Sequence, residues 1–206
     1  MFAACNRGEY SNKKKNMTDN NRHMSNGNSS IDINVIGLDG KSTVLFSNND
    51  AIIIGLNNKP FALFASSDFK LSELPLDLSN QISSLSRMLL KSELNKKNVK
   101  EPKTLPDWLL KFTSVDYLTL NDIKILSLQT LNLPKLRYLV LNDVSFEDRA
   151  VIISEFHIFK SLEYLVHNDI FTSSEIALIK KSSPNIKVMS EYDFNKEIGD
   201  GEVAIN

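Results

Sequence analysis

One spacing of apolar residues recurs along the chain and limits what it can fold into. Val115-Asp116-Tyr117-Leu118-Thr119-Leu120 and Leu136-Arg137-Tyr138-Leu139-Val140-Leu141 share it. So do Leu162-Glu163-Tyr164-Leu165-Val166-His167 and Ile186-Lys187-Val188-Met189-Ser190-Glu191. Each opens on an apolar residue and places a second three positions later, and most add a third two positions after that. The starts at 115, 136, 162 and 186 lie 21, 26 and 24 residues apart. Leu85-Ser86-Arg87-Met88-Leu89-Leu90 has the same spacing 30 residues before Val115. The lead-ins agree as well. Leu74-Pro75 precedes Ile82-Ser83-Ser84-Leu85 as Leu105-Pro106 precedes Phe112-Thr113-Ser114-Val115, and Phe159-Lys160-Ser161-Leu162 has the same ending. A period of this size marks stacked units, none of which can bury its apolar face alone.

The segments between these strands supply the return path. Ser145-Phe146-Glu147-Asp148 stands before Val151, Ile152, Phe156 and Phe159, and Thr172-Ser173-Ser174-Glu175 stands before Ile176 and Ile179. A hydroxyl followed three residues later by a carboxylate satisfies the orphan N–H groups at a helix start, so both read as capped helices. Pro184 stops the second. The 21-residue unit has no room for a full helix, so Leu126, Leu128, Leu131 and Leu133 form an extended or 3-10 return.

These segments resemble the leucine-rich repeat family over roughly residues 72–194. The resemblance rests on the L-x-x-L-x-L pattern, the Leu-Pro lead-ins and the variable spacing. It implies an α/β solenoid of about five repeats, right-handed and curved, with parallel strands on a concave face. It also implies a binding scaffold and not an enzyme. The chain departs from the family where an Asn is usual, eight positions after the first Leu: Ile123, Val144, Ile170 and Phe194 stand there. The pairs Asn121-Asp122, Asn142-Asp143 and Asn168-Asp169 come one or two positions earlier and suit turns.

Residues 31–68 precede the solenoid as a small antiparallel β cap. Ile31, Ile33 and Val35 alternate with polar neighbours, Asp39-Gly40 suits a tight turn, and Val44 and Phe46 continue beyond it. Ile52, Ile53 and Ile54 run to Gly55, Asn57-Asn58 can turn, and Phe61, Leu63 and Phe64 return. Pro60 has no N–H to donate and belongs at a strand start or edge. Two consecutive hairpins are predicted. The domain plan is a polar segment over 1–30, the cap over 31–68, the repeats over 69–194 and an acidic tail over 195–206.

Strand side chains alternate, so if Leu118, Leu139 and Leu165 point inward their neighbours face the concave side. One column holds Arg87, Tyr117, Tyr138, Tyr164 and Val188. A second holds Leu89, Thr119, Val140, Val166 and Ser190. A third holds Asn121, Asn142, Asn168 and Tyr192, with Asp122, Asp143, Asp169 and Asp193 beside it. Strands about 4.8 Å apart stack the three tyrosines. The candidate binding set is Arg87, Tyr117, Thr119, Asn121, Tyr138, Val140, Asn142, Tyr164, Val166 and Asn168. Tyrosine combines an apolar face with a polar tip and is enriched at interface hot spots. Cross-strand packing of the rings as simple sheet support is the competing reading. His167 takes the place of Leu120 and Leu141, either as a pH-sensitive site or as a core histidine with its hydrogen bonds made.

Composition narrows the function. A net charge of −1 gives no electrostatic case for nucleic acid. No HExxH, GxSxG, GxGxxG or Walker loop occurs, and neither a cofactor nor a metal is expected. Asp193, Asn195, Glu197, Asp200 and Glu202 are loosely calcium-like but fail the EF-hand pattern, because Ile198 stands where Gly is required. Asn16-Met17-Thr18 and Asn28-Ser29-Ser30 match glycosylation sequons. Residues 1–30 carry a charge of +3 and too few apolar residues to order themselves, so they read as disordered. The single Cys, Cys5, follows Phe2-Ala3-Ala4, which resembles the end of a bacterial lipoprotein signal peptide. A lipid on Cys5 would place the protein in the bacterial envelope, with residues 6–30 as a tether. That reading requires a start upstream of Met1. The alternative is a cytoplasmic protein with a free thiol. The expected function is non-enzymatic binding of a protein or peptide by a monomer. The alternative is a cytosolic immunity or regulatory protein that neutralises a partner enzyme.

Overall fold

The structure is a computed structural model and describes residues 42–94 and 101–198. It is a mixed α/β fold built on an eight-stranded open sheet. Strands β1 (Ser42–Ser47), β2 (Ala51–Leu56) and β3 (Lys59–Ser66) form an antiparallel meander. Then β4 (Arg87–Lys91), β6 (Tyr117–Asn121), β8 (Tyr138–Asn142), β10 (Tyr164–His167) and β11 (Lys187–Ser190) join in parallel. The order is β1-β2-β3-β4-β6-β8-β10-β11. A second, three-stranded parallel sheet is made by β5 (Lys103–Thr104), β7 (Ile123–Ile125) and β9 (Ser145–Phe146). The helices are α1 (Leu76–Ser79), α2 (Arg149–Glu155), α3 (Ser173–Ser182) and α4 (Glu191–Ile198).

Local chemistry explains the corners. Asn57 and Asn58 both adopt positive φ, 53° and 61°, which suits the two-residue turn joining β2 to β3. Pro60 sits at the start of β3, as its missing N–H requires. The Asn48 side chain accepts from the amides of Asp50 (2.9 Å) and Ala51 (2.7 Å) and closes the β1–β2 turn. Val44 and Phe46 therefore lie in a strand that pairs with β2. Residues 31–41, with the Asp39-Gly40 turn, lie outside the described residues. Asp122, Asp143 and Asp169 have φ of 54°, 51° and 59°. Asp tolerates this left-handed region better than most residues. Asp122 and Asp143 turn the chain from the large sheet into the small one, so these pairs act as turn formers.

The returns follow their lengths. The 21-residue unit runs through β7 and a 3-10 turn at Leu128–Leu131. Leu128, Leu131 and Leu133 are buried, while Leu126 is half exposed. The α3 cap forms as expected: Thr172 Oγ1 accepts from the Glu175 amide (3.3 Å) and Glu175 Oε2 accepts from the Thr172 amide (2.8 Å). For α2 the expectation needs correction. Ser145 and Phe146 pair in β9, and Asp148 is the cap, accepting from the amides of Ala150 and Val151. The strand takes the hydroxyl that the sequence pattern assigned to the helix.

The core fills the space behind the large sheet. Leu63, Met88, Leu118, Leu139, Leu165 and Val188 form one inward column across six strands, and all are buried. Trp108 donates to the Phe69 carbonyl (2.7 Å) and packs edge-on against Phe69 and Phe112. It thereby ties the meander side of this core to the second parallel unit.

Candidate interaction face

The other surface of the large sheet, the front face, carries the candidate residues. Strand pairing sets Arg87 beside Tyr117, then Tyr138, Tyr164 and Lys187. The next column is Phe64, Leu89, Thr119, Val140, Val166 and Met189. The last strand differs from the sequence alignment by one residue. Val188 pairs with Leu165 and Ser190 with His167, so both leave the front columns and Lys187 and Met189 take their places. Ile186 stands two residues before the inward Val188, whereas Leu162 stands three before Leu165. A one-residue slip exchanges the two faces of a strand.

The tyrosines form a ladder. The Tyr117 and Tyr138 centroids are 5.7 Å apart at 36°, and those of Tyr138 and Tyr164 are 5.1 Å apart at 8°. Cations border it. The Arg87 guanidinium lies 5.4 Å from the Phe61 centroid and 5.7 Å from that of Tyr117. Arg137 lies 5.2 Å from Tyr138, and Lys187 Nζ lies 5.1 Å from Tyr164. Arg137 also makes a two-point pair with Glu163, at 2.8 and 2.9 Å. That pair holds the Glu163 carboxyl below its usual range. Burial pushes the Tyr117 phenol up to about 12, with the Thr119 hydroxyl and the Arg87 charge opposing the shift and Glu191 adding to it.

Part of this face is covered by α4. Phe194, 2% exposed, meets Tyr138 (6.1 Å) and Tyr164 (5.6 Å) edge-on and packs with Tyr117, Val140 and Val166. Glu197 pairs with Lys187 at 2.5 Å and lies 3.4 Å from the Tyr164 hydroxyl. Tyr117, Thr119, Val140 and Val166 are consequently buried, while Arg87, Tyr138 and Tyr164 are half-buried. Asn121 and Asn142 end their strands with the side-chain oxygens buried and without a hydrogen bond. Asn168 donates to Asp143 Oδ1 (2.9 Å) and accepts from the Asp143 amide (3.2 Å), serving the turn of the preceding unit.

Sequence reasoning missed α4, Lys187 and Phe61. A signal for α4 exists in Ser190-Glu191-Tyr192-Asp193, the same capping pattern as at Thr172. Ser190 Oγ accepts from the Asp193 amide (3.1 Å). Asp193, Asn195 and Glu197 therefore lie on a helix, not on a calcium loop or in a tail. Asp200 and Glu202 lie outside the described residues, as do Cys5 and both sequons. Among the described residues, no group of three His, Cys, Asp or Glu side chains could hold a metal ion. No helix among them is long and apolar enough to cross a membrane.

His167 is 4% exposed in the inward column with Leu120 and Leu141, its ring edge-on to Phe171 at 5.3 Å. Its Nδ1 is buried without a hydrogen-bond partner. Burial holds its pKa below the ordinary value, opposed by Asp169. A concavity of about 660 Å³ lies between α2 and α3 and is lined by Ala150, Ile153 and Leu178 beside the Arg149–Glu175 pair. Comparison with protein-family models gives no match, and comparison with curated proteins gives none either.

Proposed function

We propose that this chain is a non-enzymatic, leucine-rich-repeat-type scaffold that binds a protein or peptide partner through its front face. The observation that carries the reading is the ladder of three tyrosines on successive in-register strands, bordered by Arg87, Arg137 and Lys187. The solenoid assignment is supported by one parallel strand per repeat and by a return segment shared with its neighbours. Strand–return–strand crossovers of this kind are right-handed in nearly all proteins. Aromatic and arginine side chains dominate interface hot spots, and the ladder concentrates them on adjacent strands. Attachment to a bacterial envelope through a lipid on Cys5 is part of the proposal and rests on Phe2-Ala3-Ala4-Cys5 alone.

The test is affinity capture from the native organism with the unaltered chain and with a Tyr138→Ala, Tyr164→Ala, Lys187→Glu triple variant. Tyr117 stays intact because its burial makes it structural as well. The expected result is a partner captured by the first protein and lost by the second, with circular dichroism unchanged. Equal capture by both overturns the assignment of this face.

A further inference from the structure

Helix α4 sits on the front face as a bound peptide would. Phe194 enters against the rings of Tyr138 and Tyr164, and Glu197, one turn later, reaches Lys187 and the Tyr164 hydroxyl. Among the described side chains of the helix, Tyr192 is 76% exposed, and Asn195 and Lys196 face solvent. The seat is built from four successive strands, β6, β8, β10 and β11. Among the described side chains, one buried aromatic ring, one surface ion pair and the Ser190 cap hold its occupant. Both side chains of that ion pair are about half exposed (55% and 42%), so solvent screens it and the aromatic insertion does most of the holding. A segment with so few buried contacts opens locally before the sheet it rests on.

We propose that α4 is a displaceable occupant of the front face. The partner that replaces it is a protein presenting a short amphipathic helix with an aromatic residue and a carboxylate three positions later. This rests on the reading of the front face as a binding surface. The chemistry follows from what each departing group leaves behind. Withdrawal of Phe194 uncovers Val140, Val166 and the Tyr138–Tyr164 stack, which accept an aromatic ring edge-on. Withdrawal of Glu197 leaves the Lys187 ammonium over the Tyr164 ring, where a carboxylate fits. Both must be supplied in the spacing of one helical turn, which sets the register of the incoming helix. Closure by α4 lowers apparent affinity by the fraction of molecules that are open.

The probe is an acetylated synthetic peptide of residues 190–198 of this chain. It is titrated to millimolar concentration into the isotopically labelled full chain, and amide shifts of β8 and β10 are followed. The Phe194→Ala variant is expected to bind the peptide on the order of tenfold more tightly than the unaltered chain. Adding Tyr164→Ala to that variant is expected to abolish the shifts. Equal affinities, or no binding to Phe194→Ala, overturn the proposal. Hydrogen exchange on the unaltered chain gives a second reading that needs no folded variant. The amides of 191–198 are expected to exchange together and well before those of β8 and β10, and simultaneous exchange overturns the proposal. Peptide binding without partner capture leaves the displaceable helix and removes the proposed function. Partner capture without peptide binding does the reverse.

Discussion

His167→Leu should make this protein more stable and remove part of its acid sensitivity. The imidazole shares its column with Ala65, Leu90, Leu120 and Leu141, all fully buried, and with Ser190 on the last strand. Its Nδ1 makes no hydrogen bond there. A buried polar group without a partner costs about 1–3 kcal/mol, and a leucine of similar volume removes that cost. For a domain of this size each kcal/mol moves Tm by roughly 2–4 °C, so a rise of about 2–12 °C is expected at pH 7.5. Burial lowers the folded-state pKa of His167 below the unfolded value of 6.5. Between those two values the unfolded chain holds more protons, so stability falls as pH drops below about 6.5 and is unaffected by this group above it. The slope from one such group is at most about 1.4 kcal/mol per pH unit. Urea unfolding at pH 7.5 and 5.5 measures both effects. The variant should be the more stable at both values, by a wider margin at pH 5.5. A loss of stability at pH 7.5, or a margin that does not change with pH, would refute the reasoning.

Other outcomes follow from the same structure. Leu139→Ala, in the middle of the inward column and 0% exposed, should cost about 2–5 kcal/mol by urea unfolding. Thr172→Ala removes the hydroxyl half of the α3 cap, leaving the Thr172 amide to donate to Glu175, and should cost about 1 kcal/mol by the same measurement. Asp143→Val puts a β-branched residue at φ 51° and should cost about 1–3 kcal/mol, whereas Asp143→Gly should cost less. The Arg149 guanidinium and the Thr172 backbone amide pull the Glu175 carboxyl down to about 2. Its contribution is present above pH 4.5 and lost as pH falls toward 2. Thermal unfolding of Arg149→Met should therefore show a shallower acid slope in that range.

Much of the fold can be read from the chain because repetition averages out local ambiguity. Leu118, Leu139 and Leu165 occupy equivalent sites, so each supports the assignment of the others, and the tyrosines one position before them fall into register on the opposite face. The Asn57-Asn58 turn and the Thr172 cap are equally legible, since each depends on chemistry within four residues. What fails is non-repetitive. The step from Leu162 to Leu165 is one residue longer than the step from Ile186 to Val188, and no local rule reports that difference. It moves Lys187 into the aromatic column and takes Val188 out of it. The covering of Val140 and Val166 is likewise invisible in their own segments. It depends on Phe194, which a repeat alignment assigns to a turn and the capping pattern at Ser190 assigns to a helix. His167 looks like a tolerable variant of Leu until its neighbours are placed and none offers Nδ1 an acceptor or donor.

The account depends on the front face having this register and on α4 lying upon it. A NOESY spectrum of the isotopically labelled chain tests both at once. It should contain cross-strand contacts between Lys187 and Tyr164 and between Met189 and Val166, together with contacts from the Phe194 ring to the rings of Tyr138 and Tyr164. Contacts pairing Val188 with Tyr164, or a Phe194 ring with no contact to either tyrosine, would contradict it.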